Sequence, residues 1–251
     1  MKIMAPKVHA EWVTFPSGDD EIRGYLARPT HIERPPTVIM AHENLGVTSH
    51  RRAVTELFAA ADYACLTVDL YSRIGGRPPQ DYTTADERRA KAFLAARDEQ
   101  AIPDLAAGLD YLAGRGDVDT TRTAAVGFCL GGGLVLAWAT MTDRLACAVP
   151  LYGLPELPPS YSPTGTTRSR IEIADQVRCP IQAHFGGADE VIPLDQVARL
   201  EEALKLSGEH IEVHVYEGAG HAYHDDTHPN HHPEAAKKTW DGTMAFLKAY
   251  L

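Results

Sequence analysis

The strongest constraint on the fold is the alternation of short apolar runs with amphipathic segments along most of the chain. Residues 37–41 (TVIMA) and 147–151 (CAVPL) are almost entirely apolar, which is typical of strands buried on both faces. Between such runs, apolar residues recur with the spacing of a helix. Strands of this kind that alternate with helices predict a mostly parallel sheet with helices on both faces.

The chain begins differently, because residues 9–15 and 22–28 alternate in polarity around a turn-like segment and predict an antiparallel hairpin. No linker, repeat or shift in composition follows, so we expect a single domain over residues 1–251. The carboxyl ends of parallel strands should carry the functional loops. Strands are predicted at 37–41, 64–69, 123–127, 147–151, 181–185 and 211–216, and helices at 49–61, 84–97, 102–113, 131–141, 194–206 and 234–250.

Charge and composition exclude several classes of function. The chain has 24 Lys and Arg against 34 Asp and Glu, a formal net charge of −10, without a basic run. Nucleic acid and anionic membrane surfaces are therefore not expected as partners. Apolar stretches are far shorter than the roughly 18 residues of a membrane span, and no export signal is visible. Four dispersed cysteines favour reduced thiols and a cytoplasmic protein.

The most informative motif is residues 127–132 (GFCLGG), which follow one predicted strand and directly precede a helix. A strand that turns at once into a helix strains the middle residue, and side chains two positions away would clash. This context predicts a nucleophile elbow with Cys129 at its apex. A thiol at a helix N-terminus is favoured as the thiolate. The alternative is a small buried thiol in a glycine-rich turn.

A base and an acid for this nucleophile can be found downstream. Asp189 and His221 each follow a predicted strand, so both should lie at the same edge of the sheet as Cys129. The chain order of nucleophile, acid and histidine is the order that α/β-hydrolases use. We therefore predict a triad of Cys129, His221 and Asp189. Asp195, inside the helix predicted at 194–206, is the alternative acid.

The oxyanion hole should use two backbone N–H groups. One belongs to Leu130, the residue after the nucleophile, and the other to the loop after an early strand, residues 42–46 (HENLG). Glu43 in this loop is an acidic residue that faces the same edge of the sheet. A solvated loop carboxylate is the alternative interpretation of Glu43.

Together these segments resemble the dienelactone hydrolase family, a branch of the α/β-hydrolases with a cysteine nucleophile. The resemblance implies hydrolysis of a small-molecule ester or lactone through an acyl-cysteine, without a metal or organic cofactor. It also implies that Glu43 contacts the resting thiol and takes part in forming the thiolate when substrate arrives, and that Asn44 N–H is the second oxyanion donor. The matching segments are 42–46 (HENLG), 68–71 (VDLY), the Cys129 elbow, 186–189 (GGAD) and 218–221 (GAGH).

One position departs from the family pattern. The family clamps a substrate carboxylate with two arginines, one of them four residues after the catalytic histidine, where this chain has Asp225. An acidic residue there should repel a carboxylate, so a neutral ester or lactone is at least as plausible a substrate. The remaining candidates for substrate contact are Arg73, Arg77, Arg88, Arg89 and Tyr223. For each arginine, a solvated surface charge is the ordinary interpretation that contact with substrate must displace.

Other functions remain open. Residues 221–232 are dense in His and Asp, which could bind Zn²⁺ on a helix, but Pro229 and Pro233 favour an irregular lid, so no metal is expected. A thioesterase or acyltransferase could use the same triad. A binding scaffold without catalysis is the remaining alternative, because fold does not fix function. We expect a monomer or a homodimer.

Overall fold

The computed structural model describes residues 8–161 and 168–251. One sheet of eight strands has the order β1-β2-β4-β3-β5-β6-β7-β8. The pairs β1–β2 and β2–β4 are antiparallel, and the other pairs are parallel. The predicted parallel sheet with an antiparallel N-terminal hairpin is thus confirmed. The strands are β1 Val8–Ser17, β2 Asp20–Pro29, β3 Pro36–Ala41, β4 Ala64–Val68, β5 Asp119–Phe128, β6 Cys147–Leu151, β7 Ile181–Gly186 and β8 Ile211–Tyr216.

Six α-helices lie within the described residues, in addition to short 3₁₀ turns. None of them combines the length and the hydropathy that crossing a membrane requires, within residues 8–161 and 168–251. The largest difference from the prediction is at α3, which begins four residues early and contains Pro103, with Asp98 and Glu99 in its first turn. The helices are α1 Ser49–Ala60, α2 Ala85–Ala95, α3 Asp98–Arg115, α4 Leu130–Met141, α5 Leu194–Lys205 and α6 Pro233–Tyr250.

Strand register brings the functional loops to one level. Ala41 at the end of β3 pairs with Gly127 near the end of β5. Gly186 at the end of β7 pairs with Tyr216 at the end of β8. The loops that follow these four strands therefore start side by side at the carboxyl edge of the sheet, where an open parallel sheet places its ligand sites.

Helix α4 is buried on all sides. Every residue from Leu130 to Thr140 is buried, and Met141 alone is exposed. Trp138 belongs to this packing and is buried. A helix that is apolar around its whole circumference must lie inside the protein, so the residue immediately before it, Cys129, is fixed by the core rather than by a mobile loop.

Candidate active site

The backbone around Cys129 forms the sharp turn that the sequence predicts. Strand β5 ends at Phe128 and α4 begins at Leu130, so Cys129 alone joins them, with φ 52° and ψ −114°. A Cβ atom at Gly127 would lie 2.1 Å from the carbonyl oxygen of Gly131, so only glycine fits there. A non-glycine residue at positive φ is strained, and such strain is concentrated at functional sites.

Three side chains form a continuous hydrogen-bonded line at this edge. Cys129 Sγ lies 3.2 Å from His221 Nε2, and His221 Nδ1 lies 2.8 Å from Asp189 Oδ2. The other oxygen of Asp189 accepts hydrogen bonds from the backbone N–H groups of Val191 (2.7 Å) and Ile192 (3.0 Å). The Asp189 side chain has no exposed surface. The structure therefore brings the three predicted triad residues together.

The charge state of His221 follows from these neighbours. Burial opposes protonation of the imidazole, but the Cys129 thiolate and the hydrogen bonds with Asp189 and Cys129 outweigh it and raise the pKa of His221 to about 10. A protonated imidazole facing a thiolate is the arrangement that activates cysteine nucleophiles. The alternative acid, Asp195, lies exposed in the first turn of α5 instead.

Glu43 has a partner that the sequence did not suggest. Arg51 of α1 donates to Glu43 Oε2 from both Nε (2.9 Å) and Nη2 (2.6 Å), while Oε1 is buried without a hydrogen-bond partner. Glu43 makes no hydrogen bond to the Cys129 sulfur, which hydrogen bonds with His221 instead, so the contact expected between Glu43 and the resting thiol stays a prediction. Glu43 pairs with Arg51 because a guanidinium offers two charged donors to one carboxylate, a stronger pairing than a thiol provides.

The loop of residues 42–46 is fixed by polar groups that sequence reasoning left without a role. His42 Nε2 accepts from the N–H of Leu70 (3.0 Å), so Nδ1 is the donor to the Glu43 carbonyl (2.6 Å). Burial lowers the pKa of His42 and keeps this single tautomer neutral. The Tyr71 hydroxyl donates to the carbonyl of Asn44 (3.2 Å). A histidine at the end of an otherwise apolar strand was the available signal.

Sequence reasoning also missed Tyr152, the residue after β6. It is fully buried at φ 38°, and the centroid of its ring lies 5.3 Å from that of His221 in an edge-on arrangement. Tyr223, expected as a pocket residue, is instead buried behind Tyr152, with its hydroxyl on Thr239 (2.7 Å). That expectation is wrong because the Tyr223 ring fills the core under the histidine loop.

The cavity above the thiol is small, about 170 Å³. Arg88 and Arg89 of α2 line it, whereas Arg73 forms a two-point ion pair with Asp104 (2.6 and 3.0 Å) outside it. Arg77 is exposed and does not line the cavity either. The prediction that Arg73 or Arg77 contacts the substrate is therefore wrong. The cavity is lined by Glu43, Asn44, Leu45, Arg88, Arg89, Phe93, Cys129, Leu154, Tyr161, Val191, His221, Ala222, Asp225 and His228.

A wider groove exists elsewhere on the described surface. It has a volume of about 580 Å³, lies between α3 and α4, and includes Trp138 and Met141 in its walls. No residue of the Cys129–His221–Asp189 line reaches it. Its lining offers no nucleophile paired with a base, so chemistry rather than size identifies the smaller cavity as the candidate active site.

Among the residues that the structure describes, one group of side chains could hold a metal ion. Ligand atoms of His50, Asp225 and Asp226 all lie within 4.8 Å of one another, and His50 Nδ1 hydrogen bonds with Asp226 at 2.7 Å. Residues 221–232 form turns rather than a helix, as their prolines predict. Neither His221 nor Cys129 belongs to this group, so the candidate nucleophile and base are arranged independently of it.

Comparison with known proteins gives consistent results. The sequence model described as the dienelactone hydrolase family matches residues 22–251. An Escherichia coli (strain K12) protein named "Putative carboxymethylenebutenolidase" is 30% identical over 245 residues, which cover 96% of this chain and 87% of that protein. A crystal structure of a "Putative Dienelactone Hydrolase" from Klebsiella pneumoniae has a TM-score of 0.89 and 28% identity, covering 97% of this chain and 100% of that chain. A Bradyrhizobium protein named "Probable 2-oxo-3-(5-oxofuran-2-ylidene)propanoate lactonase" is 27% identical over 244 residues, which cover 96% of this chain and 94% of that protein.

Proposed function

The chain belongs to the dienelactone hydrolase family, and we propose that this hydrolase cleaves a carboxylic ester or lactone through an acyl intermediate on Cys129. The observation that carries the proposal is the hydrogen-bonded line of Cys129, His221 and Asp189, of which Cys129 and His221 line the cavity. The α/β-hydrolase fold expected from the sequence is confirmed by the structural relatives. The name of the Bradyrhizobium relative, a lactonase, supports a small lactone or ester as the substrate class.

The reaction begins with attack of the Cys129 thiolate on the carbonyl carbon. A C–S bond forms, and the carbonyl π electrons move to the oxygen, which becomes an oxyanion. Leu130 opens α4, so its N–H lacks an acceptor within the helix and is available to the oxyanion. Asn44 lines the same cavity and would supply the second N–H.

Collapse of this intermediate breaks the C–O bond to the alcohol. His221 Nε2 faces the sulfur, so its proton is positioned for transfer to the departing alkoxide oxygen. The products of this step are the acyl-cysteine, the alcohol and a neutral imidazole. For a lactone, the alcohol stays attached to the acyl group and is not released.

Water then discharges the enzyme. Neutral His221 takes a proton from the water, the oxygen attacks the thioester carbon, and the C–S bond breaks to give the acid and the thiolate. Throughout, Asp189 accepts the hydrogen bond from Nδ1–H and so keeps Nε2 directed at the sulfur. The imidazolium–thiolate pair is restored for the next cycle.

The charges around the cavity indicate what the substrate can carry. Arg88 and Arg89 provide positive charge on one wall, and one N–H of Arg88 is buried without a hydrogen-bond partner. Asp225 also lines the cavity, and hydrogen bonds from Thr227, assisted by nearby His50 and Arg51, outweigh burial and lower the pKa of Asp225. We therefore propose small esters and lactones, both neutral and anionic, with the anionic group placed toward α2.

The proposal is tested by measuring the mass of the intact protein after brief exposure to p-nitrophenyl acetate. Release of p-nitrophenol is followed in parallel. Wild type should release p-nitrophenol and, during turnover, carry at most one acetyl group per chain, whereas Cys129→Ala should do neither, because the nucleophile is gone. Cys179→Ala is the matched control, since burial raises the pKa of the Cys179 thiol to about 12 and makes it unreactive.

Two results would overturn the proposal. Release of p-nitrophenol by a folded Cys129→Ala variant at the wild-type rate would show that another group is the nucleophile. If wild-type protein neither releases p-nitrophenol from this ester nor opens a lactone, the result would favour a binding scaffold without catalysis.

A further inference from the structure

We propose that Arg51 is a positioning residue that holds Glu43 away from the nucleophile, so that His221 alone pairs with the Cys129 thiol before any substrate arrives. This inference rests on the proposed function, because it concerns how the same thiol is activated. It assigns a role to a buried arginine that the triad does not use, and it changes the role that family resemblance implies for Glu43.

The contacts of Arg51 leave it little freedom. Its side chain is 1% exposed, and its two donors converge on a single oxygen of Glu43, at 2.6 and 2.9 Å. The guanidinium carbon lies 3.5 Å from the centroid of the Phe128 ring. Phe128 immediately precedes Cys129, so Arg51 is packed between the acidic loop and the elbow itself.

This position matters because Glu43 lines the same cavity as Cys129. An unpaired carboxylate in this position would disfavour a neighbouring thiolate by like-charge repulsion, and it could accept the thiol proton in place of His221. The guanidinium cancels the charge of Glu43 locally and fixes the carboxylate through Oε2. The sulfur is then left to His221, as its 3.2 Å contact with Nε2 shows.

The arrangement has a consequence for the substrate. If the thiol were activated only by a change at Glu43 on substrate arrival, a substrate group would be needed to cause that change. With Glu43 held by Arg51, the thiol already faces its base His221 in the free enzyme. Esters that carry no charged group should then be attacked without any triggering interaction.

The experiment measures alkylation of Cys129 by iodoacetamide from pH 5 to 9, located by peptide mass spectrometry. Arg51→Met should be alkylated at least about tenfold more slowly at pH 6, because the released Glu43 charge opposes the thiolate. The double variant Arg51→Met/Glu43→Gln should return to within about threefold of wild type, since it removes that charge as well. Arg52→Met is the matched control, because Arg52 is the next residue of α1 and faces Tyr25 instead.

The double variant also guards against a folding failure. Arg51→Met leaves a buried carboxylate without a partner, whereas the double variant leaves no unpaired charge and should fold. If Glu43 were the base for the thiol, the double variant would be alkylated as slowly as a variant that lacks His221. That result, or a wild-type rate for folded Arg51→Met, would overturn the proposal.

A merely structural role for Arg51 predicts another pattern. Loss of its packing on Phe128 would slow alkylation equally in the single and the double variant, and that outcome would also overturn the proposal. Because the readout is alkylation and not ester cleavage, it separates the two hypotheses. Ester turnover by Cys129→Ala would disprove the proposed function, yet the alkylation series would still report on Arg51.

Discussion

His221 and His224 lie three residues apart in one loop, yet at neutral pH the first is protonated and the second is neutral. The pKa of His221 is raised to about 10, because the Cys129 thiolate and the Asp189 carboxylate outweigh its burial. The pKa of His224 is lowered to about 3, first by burial and then by the nearby positive charges of Arg51 and His50. Loss of contact with water affects both rings in the same direction, so the anions around His221 decide the difference.

The contrast shows what distinguishes a base from a packed histidine in this chain. His221 has a hydrogen-bond partner at each ring nitrogen, the Asp189 carboxylate at Nδ1 and the Cys129 sulfur at Nε2. The His224 ring lies against Phe128, 5.4 Å between centroids, and its buried Nδ1 has no hydrogen-bond partner. Such partners come from other strands of the sheet, which means that proximity along the chain says nothing about role.

The largest expected effect on activity comes from replacing each of the two histidines in a separate variant. His221→Asn should lower kcat/KM for a p-nitrophenyl ester by roughly 10³- to 10⁴-fold, because no group remains to pair with the thiolate or move the proton. His224→Asn, the matched control, should stay within about threefold of wild type. Steady-state kinetics on both purified variants, with circular dichroism to confirm folding, make the measurement. Equal losses in the two variants would contradict the assigned roles.

The second effect tests the partner that sets the tautomer of His221. Asp189→Asn should lower kcat/KM by about 100-fold or more, because an amide can donate to Nδ1 and so stabilise the wrong tautomer. Asp195→Asn, the same change on the exposed first turn of α5, should be nearly neutral. The assignment fails if Asp195→Asn proves as damaging as Asp189→Asn.

The third effect is on stability, where the two histidines act at opposite ends of the pH range. For His224, the folded pKa lies below the unfolded value of about 6.5, so its contribution is fully present above that pH and is lost as the pH falls toward 3. For His221, the folded pKa lies above the unfolded value, so its contribution is fully present below about pH 6.5 and is lost as the pH rises through 10.

The measurement is urea unfolding of wild type and of His224→Gln at pH 7 and pH 5. The free energy of unfolding of wild type should fall by up to about 2 kcal/mol more than that of the variant over this interval. His221→Asn should retain the acid dependence of wild type and lose part of the alkaline one. An identical acid dependence in wild type and His224→Gln would show that His224 titrates normally in the folded protein.

Much of this fold was predictable because each strand and helix has a local signature. Unbroken apolar runs gave the buried strands, and parallel topology placed the ends of β5, β7 and β8 at one edge. The start of α3 was missed because Pro103 disfavours a helix locally, although tertiary packing of the helix outweighs that cost. Residues 162–167 lie outside the described part of the chain.

The site was predictable where it depends on topology and not where it depends on distant charge partners. Cys129, Asp189 and His221 each follow a strand, so their convergence follows from the sheet. Arg51 lies on an amphipathic helix that gives no sign of a buried side chain, and its pairing with Glu43 exists only in the folded protein. Arg73 was wrongly predicted to contact the substrate for a similar reason, because its ion-pair partner Asp104 lies on α3, far from Arg73 along the chain.

The smallest expected effect concerns the positively charged wall of the cavity, where the charged partner would be a group of the substrate rather than of the protein. Arg88 lines the cavity and has a buried N–H without a partner, so a substrate anion is the natural acceptor. Arg88→Ala should raise KM for a carboxylate-bearing ester about tenfold and leave the matching neutral ester unchanged, because a charge-assisted hydrogen bond is lost. Arg77→Ala, which removes an exposed arginine outside the cavity, is the control. Equal increases in KM for both esters would mean that Arg88 shapes the cavity without recognising charge.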